Sequence, residues 1–535
     1  MKKFTRNNYH YFFFIIFFII QLFIYKDYGF SNDDGFSRIN GLVAYNYIIE
    51  KFNISIFNQH PNLPNFLDFV DRDYGVAFEL PLVFIEKILN LNDNNLIFFS
   101  RHYLVSLSFF FASIYFYLTL NKFFNKEISL LGTLIFIFHP RIFAHSFYNT
   151  KDIGFLVFFT ISNYYLISFF LKQNFKNILL LSLFVSLSIG TRPMGIIIPI
   201  LFIFFFLMHN FHMKRNNKFY FFTLFIFSTS LLTIIFWPFL WEDPARFVEA
   251  LKSMGKFRFV GEVFFNGEYF VAKYMPWYYI PATILITTPI FYIFIFFVGT
   301  FLVTKKILTN LINLKHNNEN IWKNELDLFL IYSFIIVFLT IGSIIELSAT
   351  VYTGWRQIFF IYPSIIFISI YGLNYFLSIK KISKYVYIIL LFLILNNLKW
   401  IYQNHPYQYT FYNSIITKKK IKDFELDYYG LSNLEILKKI IQIREKDIYN
   451  IYVFSVSPYH YSLNMIDKEN LNKYKFVKNI NDADFILTNH YYQKKDYKSN
   501  KHPQYLENYL NKNFTLIYEI KSNNVRINSI YEKKK

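Results

Sequence analysis

Carboxylates and cations recur at the ends of long apolar runs in this sequence, and they are the residues with chemistry to offer. Asp33 and Asp34 close the segment Asp27-Tyr28-Gly29-Phe30-Ser31-Asn32-Asp33-Asp34, directly after the first apolar run. Adjacent carboxylates at a membrane face can serve as a general base, because mutual repulsion and partial burial favour proton uptake by one of them. The plainer alternative is a solvated acidic loop. A second acidic cluster, Asp71-Arg72-Asp73, is followed by Glu79 in Phe78-Glu79-Leu80-Pro81. Glu79 stands in an apolar stretch, where a charge is costly unless it is paired or functional. Asp71 and Asp73 together admit a divalent cation through oxygen ligands, a weaker signal than Glu79.

The third constellation runs from His139-Pro140-Arg141 through His145 to Asn149-Thr150-Lys151-Asp152. Arg141 and Lys151 suit a lipid-linked phosphate, and His145, Asn149 and Asp152 are candidates for substrate contact. Snorkelling cations and a helix-capping Asp are the alternative. Arg192 in Gly190-Thr191-Arg192-Pro193 and Arg356 in Thr353-Gly354-Trp355-Arg356 also stand at span ends, beside residues that open a helix locally. With Lys151 they form a cationic clamp in outline. The segment from Trp237 to Trp277 adds aromatics, Lys256, Arg258 and Glu268, equally well read as an interfacial aromatic belt.

The elements that must position these residues are membrane spans. The chain has 535 residues, of which 54% are hydrophobic, 23% aromatic and only 17% charged. A soluble chain carries about a quarter charged residues. The composition therefore excludes an ordinary soluble enzyme. A net charge of +20 does not indicate nucleic acid, because the basic residues are scattered between apolar runs. With no Cys, disulfides, thiolate metal sites and Cys nucleophiles are all excluded.

Apolar runs near 9–25, 96–120, 127–145, 152–171, 177–191, 193–208, 219–237, 277–303, 325–346, 356–378 and 385–400 give about eleven spans. The first follows Lys2, Lys3 and Arg6 without a small-residue cleavage site and reads as an uncleaved signal anchor. With a cytoplasmic N-terminus, the inner loops hold Lys122 and Lys126; Lys172 and Lys176; Lys214, Arg215 and Lys218; Lys305, Lys306, Lys315 and Lys323; and Lys380, Lys381 and Lys384. Every short inner loop is basic, as the positive-inside rule requires. Outer segments are then about 27–95, 238–276 and everything after 400.

In the tail the apolar runs shorten to strand length, at Asn450 to Val456, Phe485 to Thr488 and Phe514 to Ile520. Ser432 and Glu435 have capping-box spacing ahead of an amphipathic helix, Leu434 to Ile443. Ser522-Asn523-Asn524 reads as a hairpin turn leading to Val525 to Tyr531. The expected architecture is an α-helical polytopic membrane domain, residues 1–400, with a small extracytoplasmic α/β domain, residues 401–535.

The acidic pair after the first span, the acid late in the first outer loop, a Pro-Arg-x-x-x-x-x-x-Asn-x-Lys-Asp segment and the Arg-Pro and Gly-Trp-Arg span starts resemble the GT-C superfamily. The nearest relatives by this resemblance are the protein O-mannosyltransferase-like and aminoarabinose-transferase-like enzymes, the family 39/83 type. The likeness covers about residues 20–400 and extends loosely to His405-Pro406-Tyr407-Gln408 and Phe424-Glu425-Leu426-Asp427-Tyr428-Tyr429-Gly430. It implies a multi-pass enzyme of the cell (inner) membrane that transfers a sugar, with inversion, from a polyprenyl-phosphate donor to an extracytoplasmic acceptor. It requires no cofactor and admits a divalent cation. Asp33 matches the catalytic Asp of the family's Asp-Glu pair, with Asp34 in place of the Glu. Glu79 stands near the second acidic position, where Glu79-Leu80-Pro81 replaces a His-Pro-Pro flank. Lys151, Arg192 and Arg356 would bind the donor phosphate, and Arg141 joins them by type and position. The acceptor is a glycolipid, a polysaccharide or a protein. A transporter or flippase of a lipid-linked sugar is the competing reading, although it calls for mid-span charges and related halves.

Overall fold

The computed structural model describes residues 2–213, 219–317, 321–492 and 503–534. Lys214, Arg215 and Lys218, expected in one basic loop, lie outside the described residues. Sixteen helices precede the C-terminal sheet: α1 (Lys2–Ile24), α2 (Asn32–Lys51), α3 (Glu79–Ile88), α4 (Asn94–Leu120), α5 (Lys126–Ile137), α6 (Pro140–Tyr148), α7 (Thr150–Leu171), α8 (Phe175–Ile189), α9 (Ile197–Met213), α10 (Phe219–Phe236), α11 (Arg246–Gly255), α12 (Tyr279–Thr287), α13 (Ile290–Asn317), α14 (Glu325–Glu346), α15 (Tyr362–Ser378) and α16 (Lys380–Gln403).

The helical membrane architecture expected from the sequence is borne out. Among the described residues, seven helices are long and apolar enough to cross a membrane, and α5 with α6, bent by 68°, makes up to eight. Three shorter apolar stretches, Tyr9–Ile24, Phe175–Ile189 and Pro193–Met208, coincide with the remaining expected runs. The bend between α5 and α6 follows from Pro140, which disfavours helix at His139 and supplies a preset first residue to α6.

Burial sorts the helices. In α7, 89% of the apolar window is buried, and in the stretch Arg356–Ser378 83%, against 22% in α10, α13 and α16. The first two form the centre of the bundle; the last three present apolar side chains to the lipid. At the crossing of α13 and α15 the backbones touch: a Cβ on Gly299 would stand 2.1 Å from the Ile368 carbonyl oxygen, and one on Gly372 2.6 Å from the Gly299 nitrogen. Small residues allow such close approach, and with it the dispersion contacts that hold helices together in lipid.

The expected outer segments carry structure of their own. The first contains α2 packed on α3, with Gly41 against Val83 and Glu79. The second holds α11 and a hairpin of β1 (Glu262–Phe265) and β2 (Glu268–Val271). Its turn residues Asn266 and Gly267 both have positive φ, as a two-residue hairpin with right-handed twist requires.

Beyond α16 the chain forms a five-stranded sheet, so the small C-terminal α/β part is also borne out. Its strands are β3 (Tyr449–Val453), β4 (Tyr474–Phe476), β5 (Phe485–Thr488), β6 (Phe514–Ser522) and β7 (Val525–Lys533), in the order β4-β3-β5-β7-β6. The first three pair in parallel and β7 pairs antiparallel with both β5 and β6. The Asn523-Asn524 hairpin is present, with φ of 56° and 63°. The capping box is not. Helix α17 (Ser432–Ile443) begins one residue earlier than that box needs, and the carboxylate of Asp427 caps it, accepting from the Leu431 and Ser432 backbone N–H at 3.1 and 3.2 Å. Glu435 instead accepts from the Tyr407 and Tyr518 hydroxyls.

Candidate active site

The ends of α1, α8 and α16 meet the starts of α2, α7 and the stretch leading into α15 on one side of the bundle. Arg356 is the joint. Its Nη1 donates to Asp33 at 2.8 Å and to Asp152 at 3.1 Å, and its guanidinium lies over the rings of Tyr352 and Tyr429. Ahead of it, Thr353 and Gly354 take φ of 56° and 71°, turning the chain sharply so that the 3-10 stretch Arg356–Ile361 starts at the site. Asp152, fully buried, also pairs with Arg192. A buried carboxylate between two guanidinium groups is compensated electrically and holds both cations in place.

Asn149 ends α6 and caps α7, accepting from the Asp152 backbone N–H at 2.9 Å. Its amide donates to Asp152 at 2.8 Å and contacts His145 Nδ1 at 2.9 Å. The His145-Asn149-Asp152 relay therefore fixes the orientation of Asp152. Lys151 Nζ lies 4.3 Å from the centre of the Tyr74 ring, and among the described residues it makes no ion pair.

The two adjacent aspartates are separated by the turn they sit on. Asp34 is 3% exposed and folds back on Ser31, accepting from its backbone N–H at 2.8 Å in a capping box at the start of α2. His102 Nε2 lies 3.4 Å from the same carboxylate. The Asp33 side chain is 32% exposed and faces outward from that turn. Glu79 is buried at the start of α3, between Arg101 and the Thr150 hydroxyl. Asp71 and Asp73 converge on Arg258, with oxygens 3.0 and 2.6 Å from its Nη2. Among the described residues, no three His, Cys, Asp or Glu side chains gather as a metal site.

Asp33, Lys151, Arg192 and Arg356 line one cavity of about 360 Å³. The other walls are mainly apolar, among them Ile196 and Ile197 at the start of α9, Leu251 and Met254 of α11, and Ile344 and Leu347 at the end of α14. A second apolar cavity, about 350 Å³, lies between α9, α10 and α11 and shares Ile196. Three cations and one carboxylate thus stand at the polar end of an apolar trough. Arg141 is elsewhere. With His145 it lines a smaller chamber on the far side of Arg356, where its Nε donates to the Phe411 carbonyl at 3.0 Å and its guanidinium covers the Tyr412 ring.

Residues 88–240, which span α4 to α10 and include Lys151 and Arg192, match the family described as dolichyl-phosphate-mannose-protein mannosyltransferase. The likeness to glycosyltransferases expected from the sequence is borne out over this stretch. The family that matches this stretch is one of glycosyltransferases. No curated protein sequence matches the chain. Among solved structures, ArnT from Cupriavidus metallidurans bound to undecaprenyl phosphate is 10% identical, with 98% of both chains covered and a TM-score of 0.44. The oligosaccharyltransferase of Archaeoglobus fulgidus tethered with an acceptor peptide is 10% identical over 100% of this chain and 75% of that one, with a TM-score of 0.47.

Several residues of this site were not singled out from the sequence. Arg101 and His102 hold Glu79 and Asp34, and their signal was present as adjacent Arg and His side chains near the start of an apolar helix. Tyr74, Tyr352 and Tyr429 stack on the cations, but in a chain with 44 Tyr no spacing marks them.

Proposed function

We propose that the protein is an inverting glycosyltransferase of the cell (inner) membrane that moves a sugar from a polyprenyl-phosphate donor to an extracytoplasmic acceptor. The observation that carries this reading is the convergence of Lys151, Arg192 and Arg356 with Asp33 at the polar end of the apolar trough. The acceptor O–H gives its proton to Asp33 while its oxygen bonds to the anomeric carbon from the face opposite the phosphate. The bond from that carbon to the phosphate oxygen breaks with its electron pair, and the growing charge is held by Lys151 and the two arginines. A single displacement inverts the anomeric centre. The apolar trough takes the polyprenyl chain, so the donor stays in the bilayer.

In this reading Asp33 is the base, Asp34 holds the turn that carries it, and Asp152 with Asn149 and His145 positions the arginines. Glu79, locked to Arg101 and Thr150, fixes α3 against the start of α7 rather than meeting substrate. The N-terminus is cytoplasmic and residues 401–535 face outward. The test is transfer in liposomes from radiolabelled polyprenyl-phosphate sugars to a cell-envelope extract. Transfer by the wild type, with donor KM raised about tenfold or more in Lys151→Ala, is expected from loss of a charge-assisted contact. Donor crossing the bilayer without transfer would favour a flippase instead.

A further inference from the structure

Arg141, Thr353, Glu425 and Tyr429 are among the residues that line the small chamber beside Arg356, and Arg141 Nη2, the Thr353 hydroxyl, Glu425 Oε1 and the Tyr429 hydroxyl are buried without a hydrogen-bond partner among the described residues. Tyr429 is 2% exposed as a whole residue. One such atom in a fold is unremarkable; four on residues that line one space call for a common partner. The remaining walls are mainly aromatic, with Phe264 and Phe265 of β1, Tyr279, Trp355 and Tyr412 among them, and include Thr283 and Thr287.

Size and charge select the partner's chemistry. A phosphate, with five heavy atoms, is too large for a space of about 30 Å³, and a cation would meet Arg141 and Arg356. A neutral group that both donates and accepts suits all four atoms, and flat aromatic walls suit the C–H faces of a sugar. The space is about 30 Å³, the size of a hydroxyl or two rather than of a whole ring. Arg356 lines both this chamber and the trough that holds Asp33, so a group seated here is next to the reacting centre. The chamber is also built jointly. Glu425, Tyr428 and Tyr429 come from the strap leading into the C-terminal sheet, and Asn32, next to Asp33, binds that strap, its backbone N–H donating to the Tyr429 carbonyl at 2.9 Å and its amide to the Tyr428 carbonyl at 3.0 Å.

We infer that this chamber is a sugar-hydroxyl subsite, in which ring hydroxyls donate to Glu425 and accept from Arg141. The inference rests on the glycosyltransferase reading. The same chemistry is carried by the donor's sugar and by a sugar on the acceptor, and the experiment separates the two. Initial rates are measured with the full-length protein in liposomes for wild type, Glu425→Gln, Glu425→Leu and Arg141→Met. Donor and envelope acceptor are varied in turn, and monodeoxy analogues of the donor sugar are compared with the parent. Thermal melting of each variant confirms folding, and Glu425→Gln, nearly isosteric, serves if Glu425→Leu does not fold.

The expected result is a rise of about tenfold or more in KM for one substrate only, the same one in Glu425→Leu and Arg141→Met, the other KM being unchanged. A rise for the donor, with loss of discrimination against one deoxy analogue, places the donor's sugar here; a rise for the acceptor places the acceptor's. A site built to bond a hydroxyl rejects the analogue lacking it by large factors, so that discrimination reads recognition rather than structure. Folded variants with both KM values and the discrimination unchanged would overturn the inference while the transferase reading stood. Absence of transfer by the wild type would overturn both.

Discussion

Asp33 and Asp34 differ by one position and by everything else that matters to their chemistry. Asp34 completes the Ser31 capping box and faces His102, whereas Asp33 meets Arg356 at the cavity edge. Asp33→Asn is expected to lower the rate about a hundredfold or more while leaving the melting temperature near wild type, the usual scale for removing a general base. Asp34→Ala is expected to cost about 1–2 kcal/mol of stability by loss of the cap, with activity falling only as folded protein is lost. Thermal melts and initial rates on the same preparations separate the two. Glu425 supplies a pH test. Burial pushes its carboxyl up from 4.5 to about 8, opposed by the Phe264 backbone N–H that donates to it and by Arg141 and Arg356, with Tyr279, Tyr412, Tyr428 and Tyr491 also facing it. Its folded value is raised, so the stability linked to its proton is fully present below 4.5 and is lost as pH rises through about 8. Wild type should therefore lose stability relative to Glu425→Gln across that window, as read by melting at stepped pH; parallel profiles would contradict the upward shift of this carboxyl. The candidate cations and acids were legible because charge at the end of an apolar run is conspicuous. Their division of labour was not, because it depends on a turn and on Arg101, His102 and Arg356 arriving from distant helices.

At the scale of elements, the bundle depends on places where backbone meets backbone. Gly299→Val should push the Ile368 carbonyl away and part α13 from α15, with an overpacking cost of about 1–3 kcal/mol or more, measurable as a lower melting temperature in detergent. Asp427 does for the C-terminal sheet what the glycines do for the helices. Its carboxylate accepts from Tyr409, Ser432 and the first N–H groups of α17, tying the segment after α16 to the sheet. Asp427→Ala should leave those donors unpaired and expose the 401–535 region to limited proteolysis at protease levels that spare the wild type. Helix and strand positions were largely readable from period and run length. Strand β4, three residues long, was missed, and the Ser432-Glu435 spacing was taken for a cap because only the structure shows Asp427 reaching the same N–H groups. The outer helices α2 and α11 carry no apolar run of spanning length, so a reading by hydropathy passes over them.

For the whole molecule, the site exists only where several helix ends and the C-terminal strap meet. Arg356 binds an acid from each of two other segments, and Asn32 ties the strap beside one of them. An arrangement of this kind places every cation of the trough on one side, opposite the basic loops that the positive-inside rule would make cytoplasmic. The absence of Cys makes that side testable, since Lys420→Cys and Lys381→Cys introduce single exposed thiols. A membrane-impermeant maleimide added outside intact spheroplasts should label the first and not the second. The most direct test of the central claim is sugar transfer itself, with wild type and Asp33→Asn in liposomes supplied with a radiolabelled polyprenyl-phosphate sugar and an envelope acceptor. Wild-type transfer that Asp33→Asn lowers by about a hundredfold or more, in protein that melts normally, is the predicted result. Equal transfer by both would contradict the account.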